Sequence, residues 1–568
     1  MREPLPLRSH VLTIACAVLL LLGVFLFPYY FSVVPTVSLS YLVGFNNRVA
    51  VAFFLLFAFG IAVARRGWIG EGEQRNSKLP NWLLGTSVSV AVALCIVLRL
   101  HRHGKPIGGE AHFFLDRIHQ LSLHRLPYRD FEFTYGPLLL YPTQLVHQAL
   151  GISLISAYYV VWTLFWAAGI GMLYFVVNNI DIATEHRLGV YMLMAVTIPP
   201  ALIDEGMNYA PLRPFTVPFL ALCTYIFWQR TKAPYRTACL AGFCIAAGFA
   251  VSAEQGIGLL VGTSAYFFLL AFRSNDFPVL ASVLQLGLSA IVAACAAHLK
   301  LFAAMGFFSK GGYNFPVLLS PGNLLAMTAF VLAICLLWRA IATRDLRHNY
   351  VLLTLCGIPM LPAAMGRNDF GHMISVTSIL LVGLFAIYSR VTLRRYLSSA
   401  LWVTVLLACY GGVVVTGYHK LRGDRPPVAT DPSELHSRPI PRTVMYYAPY
   451  STALSQTKPE FLAYSLDEGY YSAFQNITTE EQIRNELLEF QQHKGMPFLL
   501  PDEPGATTPA LWDQDPKMLR LLEVAPFLPR VKHAQIDTRA LADFINQYYR
   551  RTDMAEDGKR VWIYAGAH

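Results

Sequence analysis

Four carboxylates, Glu110, Asp116, Asp130 and Glu132, fall within one polar stretch from Gly108 to Leu150, between two long apolar segments. A carboxylate held near a membrane surface can serve as a general base if its surroundings raise its proton affinity. Glu110 follows Gly108-Gly109 and opens a predicted helix, on whose wheel it shares a face with Phe114, Arg117 and Leu121. His112, Asp116 and His119 point elsewhere on that wheel. An acid in a helix's first turn is also favoured by the helix dipole alone, by about 0.3–1 kcal/mol, so position does not prove chemistry. Asp130 sits in Pro127-Tyr128-Arg129-Asp130-Phe131, ahead of Tyr135-Gly136-Pro137-Leu138. The residues there fit a turn as well as a second candidate base.

Other polar groups punctuate later apolar segments. Asp204-Glu205 and Asn208-Tyr209 precede Arg213, Glu254 interrupts a long apolar run, and Lys310 lies in Lys310-Gly311-Gly312-Tyr313. Arg367-Asn368-Asp369-Phe370-Gly371-His372 joins two late segments. Arginine grips phosphate through a planar fork, so Arg367 with His372 suits a phosphate, and Asp369 can pair with either. Singly, each group also fits a helix-end charge reaching for water.

The elements that must position these groups are membrane helices. Of 568 residues, 55% are hydrophobic and 14% charged, and mean hydropathy is +0.43. Soluble domains carry about 25% charged residues. A net charge of +10 here reflects basic loops between apolar spans, not a nucleic-acid surface. All nine cysteines lie in apolar spans, and no spacing suits a disulfide framework or a metal site. Spans are predicted at 11–34, 49–64, 82–100, 152–177, 188–203, 214–228, 237–253, 256–272, 278–303, 322–338, 350–365, 372–389 and 397–418, about thirteen helices. The first is too long for a signal-peptide core and reads as a retained span. The run from Thr237 to Phe272 reads as a tight helical hairpin with Glu254 at its tip.

Alternate loops carry the basic residues (Arg65, Arg66, Arg75 and Lys78; Arg187; Arg230, Lys232 and Arg236; Arg273; Arg339, Arg344 and Arg347; Arg390, Arg394 and Arg395). That asymmetry places the N-terminus in the cytoplasm and the candidate residues outside, although the 104–150 loop carries outer basics of its own. The expected organisation is two N-terminal transmembrane helices in 1–80, a transmembrane core in 81–418, and a soluble extracytoplasmic α/β domain in 419–568. Within the core the first outer loop, 101–151, is predicted to be amphipathic and to lie along the bilayer surface. In the C-terminal domain, Thr479 and Gln482 form a capping box opening a helix that ends near Gly495. Val444–Tyr447, Phe498–Leu500 and Val561–Tyr564 read as strands.

Glu110 with its aromatic helix, then Leu126-Pro127-Tyr128-Arg129-Asp130-Phe131, Tyr135-Gly136-Pro137-Leu138 and the late Arg367-Asn368-Asp369-x-x-His372, resembles GT-C-type membrane glycosyltransferases. The relatives in question are the protein O-mannosyltransferases and aminoarabinose transferases. The resemblance covers about residues 80–418, with Gly109 where the family often has Asp and two extra helices before the core. It implies inverting transfer of a sugar from a polyprenyl-phosphate donor, with a first-loop carboxylate, corresponding to Glu110, as base. Glu110 and Asp130 are thus the candidate catalytic residues, and Arg213, Glu254, Lys310, Arg367, Asp369 and His372 the candidate substrate-binding ones. The expected partners are the lipid-linked donor, a glycan, lipid or protein acceptor, and membrane lipids, with no nucleic acid. No cofactor is expected, and a divalent metal stays open. The expected location is a bacterial inner membrane with the C-terminal domain in the periplasm. The alternatives are a transporter or flippase, whose charged sites would lie at mid-membrane, and a polymerase or ligase of lipid-linked glycans.

Overall fold

The computed structural model describes residues 7–31, 46–65, 78–101, 111–122, 124, 126–128, 133, 135–181, 187–196, 203, 206–302, 317, 321–366, 370–390, 443–446, 462–465, 487–488, 491, 498–501, 539–556 and 559–566. The chain is a polytopic α-helical membrane protein. Seven described helices are long and apolar enough to cross a bilayer. They are α2 (Asn47–Ala64), α3 (Asn81–His101), α6 (Leu154–Asn179), α9 (Pro234–Val251), α10 (Ala253–Leu269, extended by a π turn to Ser274), α11 (Val279–His298) and α12 (Pro321–Thr343). Shorter apolar helices lie in α1 (Leu7–Phe25), in α13 (Asn349–Gly357) with α14 (Leu361–Gly366), and in α16 (Thr377–Arg390).

The expected spans differ from the helices in instructive places. The span over 350–365 is broken into α13, a 3-10 turn over Ile358–Met360 and α14. Pro359 and Pro362 remove backbone donors from what hydropathy alone reads as one rod. The span over 188–203 contains a described helix of only 10 residues, α7 (Arg187–Val196). The span over 372–389 is split between α15 (Phe370–Ile374) and α16. α8 (Leu212–Thr231) is not among the seven, for it carries prolines and arginines and is lined by buried residues from Leu212 to Trp228. The last expected span, 397–418, lies outside the described residues.

Helix α9 ends at Val251, Ser252 is fully extended, and α10 begins at Ala253, so the predicted hairpin turns on a single residue. Lipid gives no apolar driving force for helices to associate, so close packing must hold them. Gly258 and Gly262, one helical turn apart on α10, supply it. A Cβ on Gly262 would lie 2.4 Å from Cys356 Cα of α13. Where α10 packs on α11, neutral buried polar groups bond one another. Gln285 Nε2 donates to Thr263 Oγ1 at 3.1 Å and Ser289 Oγ at 2.8 Å.

The loops expected on the inner face meet at one end of the bundle. The Asp181 N–H donates to Asn349 Oδ1 at 2.9 Å, and the Tyr225 hydroxyl donates to Asp181 Oδ2 at 3.1 Å. Arg187 donates to Ile180 O at 3.1 Å, tying the start of α7 to the end of α6. Arg347 makes two 3.2 Å bonds to Asp276 and holds its carboxyl below the usual carboxylate range. Together these contacts clasp the ends of α6, α8, α10 and α12.

The C-terminal strands form one mixed sheet: β1 (Thr443–Tyr446), β2 (Leu462–Ser465), β3 (Phe498–Pro501), β4 (Tyr549–Glu556) and β5 (Lys559–Tyr564), in the order β2-β1-β3-β5-β4. β1 runs parallel to β2 and β3, whereas β5 is antiparallel to β3 and β4. Helix α17 (Arg539–Tyr548) leads directly into β4. The three strands expected from sequence are β1, β3 and β5. Most of the helix expected to open at Thr479 lies outside the described residues.

Candidate functional site

At the end opposite the clasp, four separate segments converge: the first outer loop, the start of α8, the α9–α10 turn and α15. Arg213 in the first turn of α8 forms an ion pair with Glu254 in the first turn of α10. Their side chains are 14% and 15% exposed, so the pair is largely removed from solvent. An arginine at a helix N-terminus opposes the dipole, whereas a glutamate there is favoured. Glu254 therefore offsets a charge that α8 alone would hold at a cost. Fully buried Gln255 adds a second tie, its Nε2 donating to the Arg213 carbonyl. Arg213 and Glu254, both expected to bind substrate, are also partners of each other. Among the described residues, Arg213 Nε has no hydrogen-bond partner.

An aromatic wall backs the pair. The Arg213 guanidinium carbon lies 5.1 Å from the Tyr135 ring centroid, in cation–π range. Tyr135 stacks on Phe114 at 5.4 Å, and Phe133 meets both rings edge-on at 5.9 Å. The Tyr128 hydroxyl donates to the Tyr135 carbonyl, closing the turn. Burial raises the proton affinity of this phenol far above the ordinary range, which keeps it a neutral donor. On another side, Tyr209 presents an edge-on contact to His372, with ring centroids 6.0 Å apart.

The first outer loop, expected to be amphipathic and to lie along the bilayer surface, packs on the protein through its helix. Helix α4 (Ala111–Ser122) buries Ala111, Phe114, Leu115, Arg117 and Ile118. Ala111, Phe114, Leu115 and Ile118 join a cluster with Trp162 of α6 and with Ile203 and Met207. These apolar side chains are buried by protein. A further helix, α5 (Tyr141–Leu150), completes the loop before Gly151 turns the chain with φ +61°.

Gly136 joins the first loop to the hairpin. Its N–H donates to Val251 O at 2.9 Å, and a Cβ at this position would stand 2.2 Å from Ala250 O. Gly136→Ala is expected to push the loop off the α9 terminus and lower stability by about 1–3 kcal/mol. Gly85→Ala, where an added Cβ meets nothing within 4 Å, should be neutral or better. Thermal unfolding of the two variants in detergent makes the comparison.

Of the sequence-predicted residues, Arg213, Glu254 and His372 thus lie at one end of the bundle. Glu110, Asp130, Lys310, Arg367 and Asp369 lie outside the described residues. Gln255 is a site residue that sequence reasoning misses, its only mark being an amide beside Glu254 in an apolar run. Among the described residues, no group of three His, Cys, Asp or Glu side chains could hold a metal ion.

Fold and site together define a multi-helix membrane protein with a buried arginine–glutamate pair and an aromatic wall at one end of its helices. No family model matches the chain, and no curated protein does. Among solved structures it is similar to that of ArnT from Cupriavidus metallidurans bound to undecaprenyl phosphate. The identity is 12% and the TM-score 0.44, over 84% of this chain and 97% of that one. It is also similar to a cryo-EM structure of the arabinofuranosyltransferase AftD from Mycobacteria. There the identity is 14% and the TM-score 0.42, over 88% of this chain and 41% of that one, less than half its length. At this level of likeness, neither activity nor ligand passes to this chain.

Proposed function

We propose that the chain transfers a sugar from a polyprenyl-phosphate-linked donor to an acceptor hydroxyl at the outer membrane face, with inversion. The supporting observation is the convergence of Tyr135, Tyr209, Arg213, Glu254 and His372 at one helix-bundle end, from loops the sequence assigns to one side. In this reading a first-loop carboxylate, Glu110 with Asp130 as rival, takes the proton of the acceptor hydroxyl. The freed oxygen attacks the anomeric carbon, the bond from that carbon to the phosphate oxygen breaks, and polyprenyl phosphate leaves with the electron pair. Arg367 and Lys310 are the cations proposed to stabilise the leaving phosphate, with His372 beside them as a further ligand for it. Arg213 and Glu254 would position the sugar, the carboxylate accepting from its hydroxyls and the remaining guanidinium donors bonding its oxygens. The N-terminus would be cytoplasmic, and the C-terminal sheet would lie in the periplasm beside the acceptor.

Purified protein incubated with a panel of labelled polyprenyl-phosphate sugars tests the proposal. The expected result is transfer of label from one donor class, with stoichiometric release of polyprenyl phosphate. No donor consumption, together with accelerated transbilayer movement of a fluorescent lipid-linked sugar in proteoliposomes, would replace the transferase with a flippase.

A further inference from the structure

A cleft of about 510 Å³ opens beside the clasped end, far along α6 from the Arg213–Glu254 pair. Its rim is polar, with Lys78 and Asn178, and its walls are apolar, with Leu84, Phe175 and Phe219. The rim offers donors. Asn178 Oδ1 accepts the Leu79 N–H at 2.7 Å, which turns the amide nitrogen of Asn178 away from that bond. Tyr174 fixes the same segment by donating to Leu79 O at 2.7 Å. Lys78 is exposed and has no carboxylate partner among the described residues. An ammonium beside an amide N–H₂ group suits an acceptor-rich anion.

The lower part of the cleft asks for an apolar chain. Gly171 lines it, and a Cβ there would meet nothing within 4 Å, so α6 leaves open space beside Phe175 and Phe219. Beyond the cleft, α3 exposes Val90, Leu94 and Val97, an apolar surface suited to lipid. A site charged at the membrane surface and apolar below it matches a phospholipid more closely than a free anion.

We propose that this cleft holds one anionic phospholipid, its phosphate on Lys78 and Asn178 and an acyl chain along Leu84, Gly171 and Phe219. The site is separate from the proposed transfer chemistry, and its test needs no activity assay. Native mass spectrometry of the full chain in detergent, titrated with dioleoylphosphatidylglycerol or dioleoylphosphatidylcholine, should show one retained phosphatidylglycerol and little phosphatidylcholine. Lys78→Ala should weaken that binding about fivefold, and Lys78→Arg should restore most of it. Gly171→Leu extends a side chain into that open space from a position where a Cβ meets nothing within 4 Å, so it should remove the bound lipid while leaving the unfolding temperature of the lipid-free protein unchanged. Equal retention of the two lipids, or full retention in folded Gly171→Leu, would overturn the proposal. Displacement of the lipid by millimolar inorganic phosphate would overturn it too, marking a site for a free anion.

Discussion

Exchanging Glu110 for glutamine is expected to slow sugar transfer by at least about a hundredfold, with membrane insertion and donor binding unchanged. Glutamine keeps the shape of the side chain but cannot take the acceptor's proton. The expectation rests on the residues immediately C-terminal to Glu110. Ala111 is fully buried, and Phe114 one turn later stacks on Tyr135, whose ring lies under Arg213. Helix α4 thus leads straight into the cluster that gathers the other candidate groups. Asp116→Asn, on another helix face by sequence, should leave the rate near that of the parent. Single-turnover assays with a saturating donor separate the chemical step from binding. Normal turnover in Glu110→Gln, with Asp130→Asn inactive, would move the base to Asp130. Activity in both variants would remove the first-loop carboxylates from the mechanism.

Arg213→Ala is expected to cost about 3–5 kcal/mol in stability, because it strands the Glu254 carboxylate in a buried site. The observable is a lower thermal unfolding midpoint in detergent. Removing both charges together should recover most of that loss, since two charges absent are cheaper than one left unpaired. Activity then decides what the pair is for. A double Arg213→Met, Glu254→Met variant that is stable but inactive would place the pair in sugar recognition. One that is stable and fully active would make it a structural tie between α8 and α10, with the sugar bound elsewhere.

Much of this architecture is legible in the chain. Long apolar runs give α2, α3, α6 and α9 to α12 with little displacement, because lipid tolerates few other structures. The polar break Ser252-Ala253-Glu254-Gln255-Gly256 marks the hairpin turn, for no helix interior would carry it cheaply. Alternating basic loops foretell which segments meet: Asp276 with Arg347 at one end, Arg213 with Glu254 at the other. That last pairing was not itself readable, since its partners lie on different helices and neither position carries a mark of the other. The burial of α4 was equally hidden. A half-apolar face satisfies lipid and protein alike, and only the approach of Trp162, Phe133 and Tyr135 decides between them. Strand β4 escaped for a different reason. It sits at the sheet edge, and its sequence, with Arg550 and Arg551 side by side, lacks the alternation expected of a strand.

The clasp at the end away from Arg213 and Glu254 bears on how the bundle can part. Asn349 and Asp181 bond each other through backbone and side chain, and Tyr225 reaches the same carboxylate from α8. With those ends stapled, sideways separation of α6, α8 and α13 has its fulcrum there and its widest travel at the far end, beside Arg213 and Glu254. Any space between these helices would then be widest beside Arg213 and Glu254 and narrowest at the polar knot, as the jaws of a clothes-peg part only away from its spring.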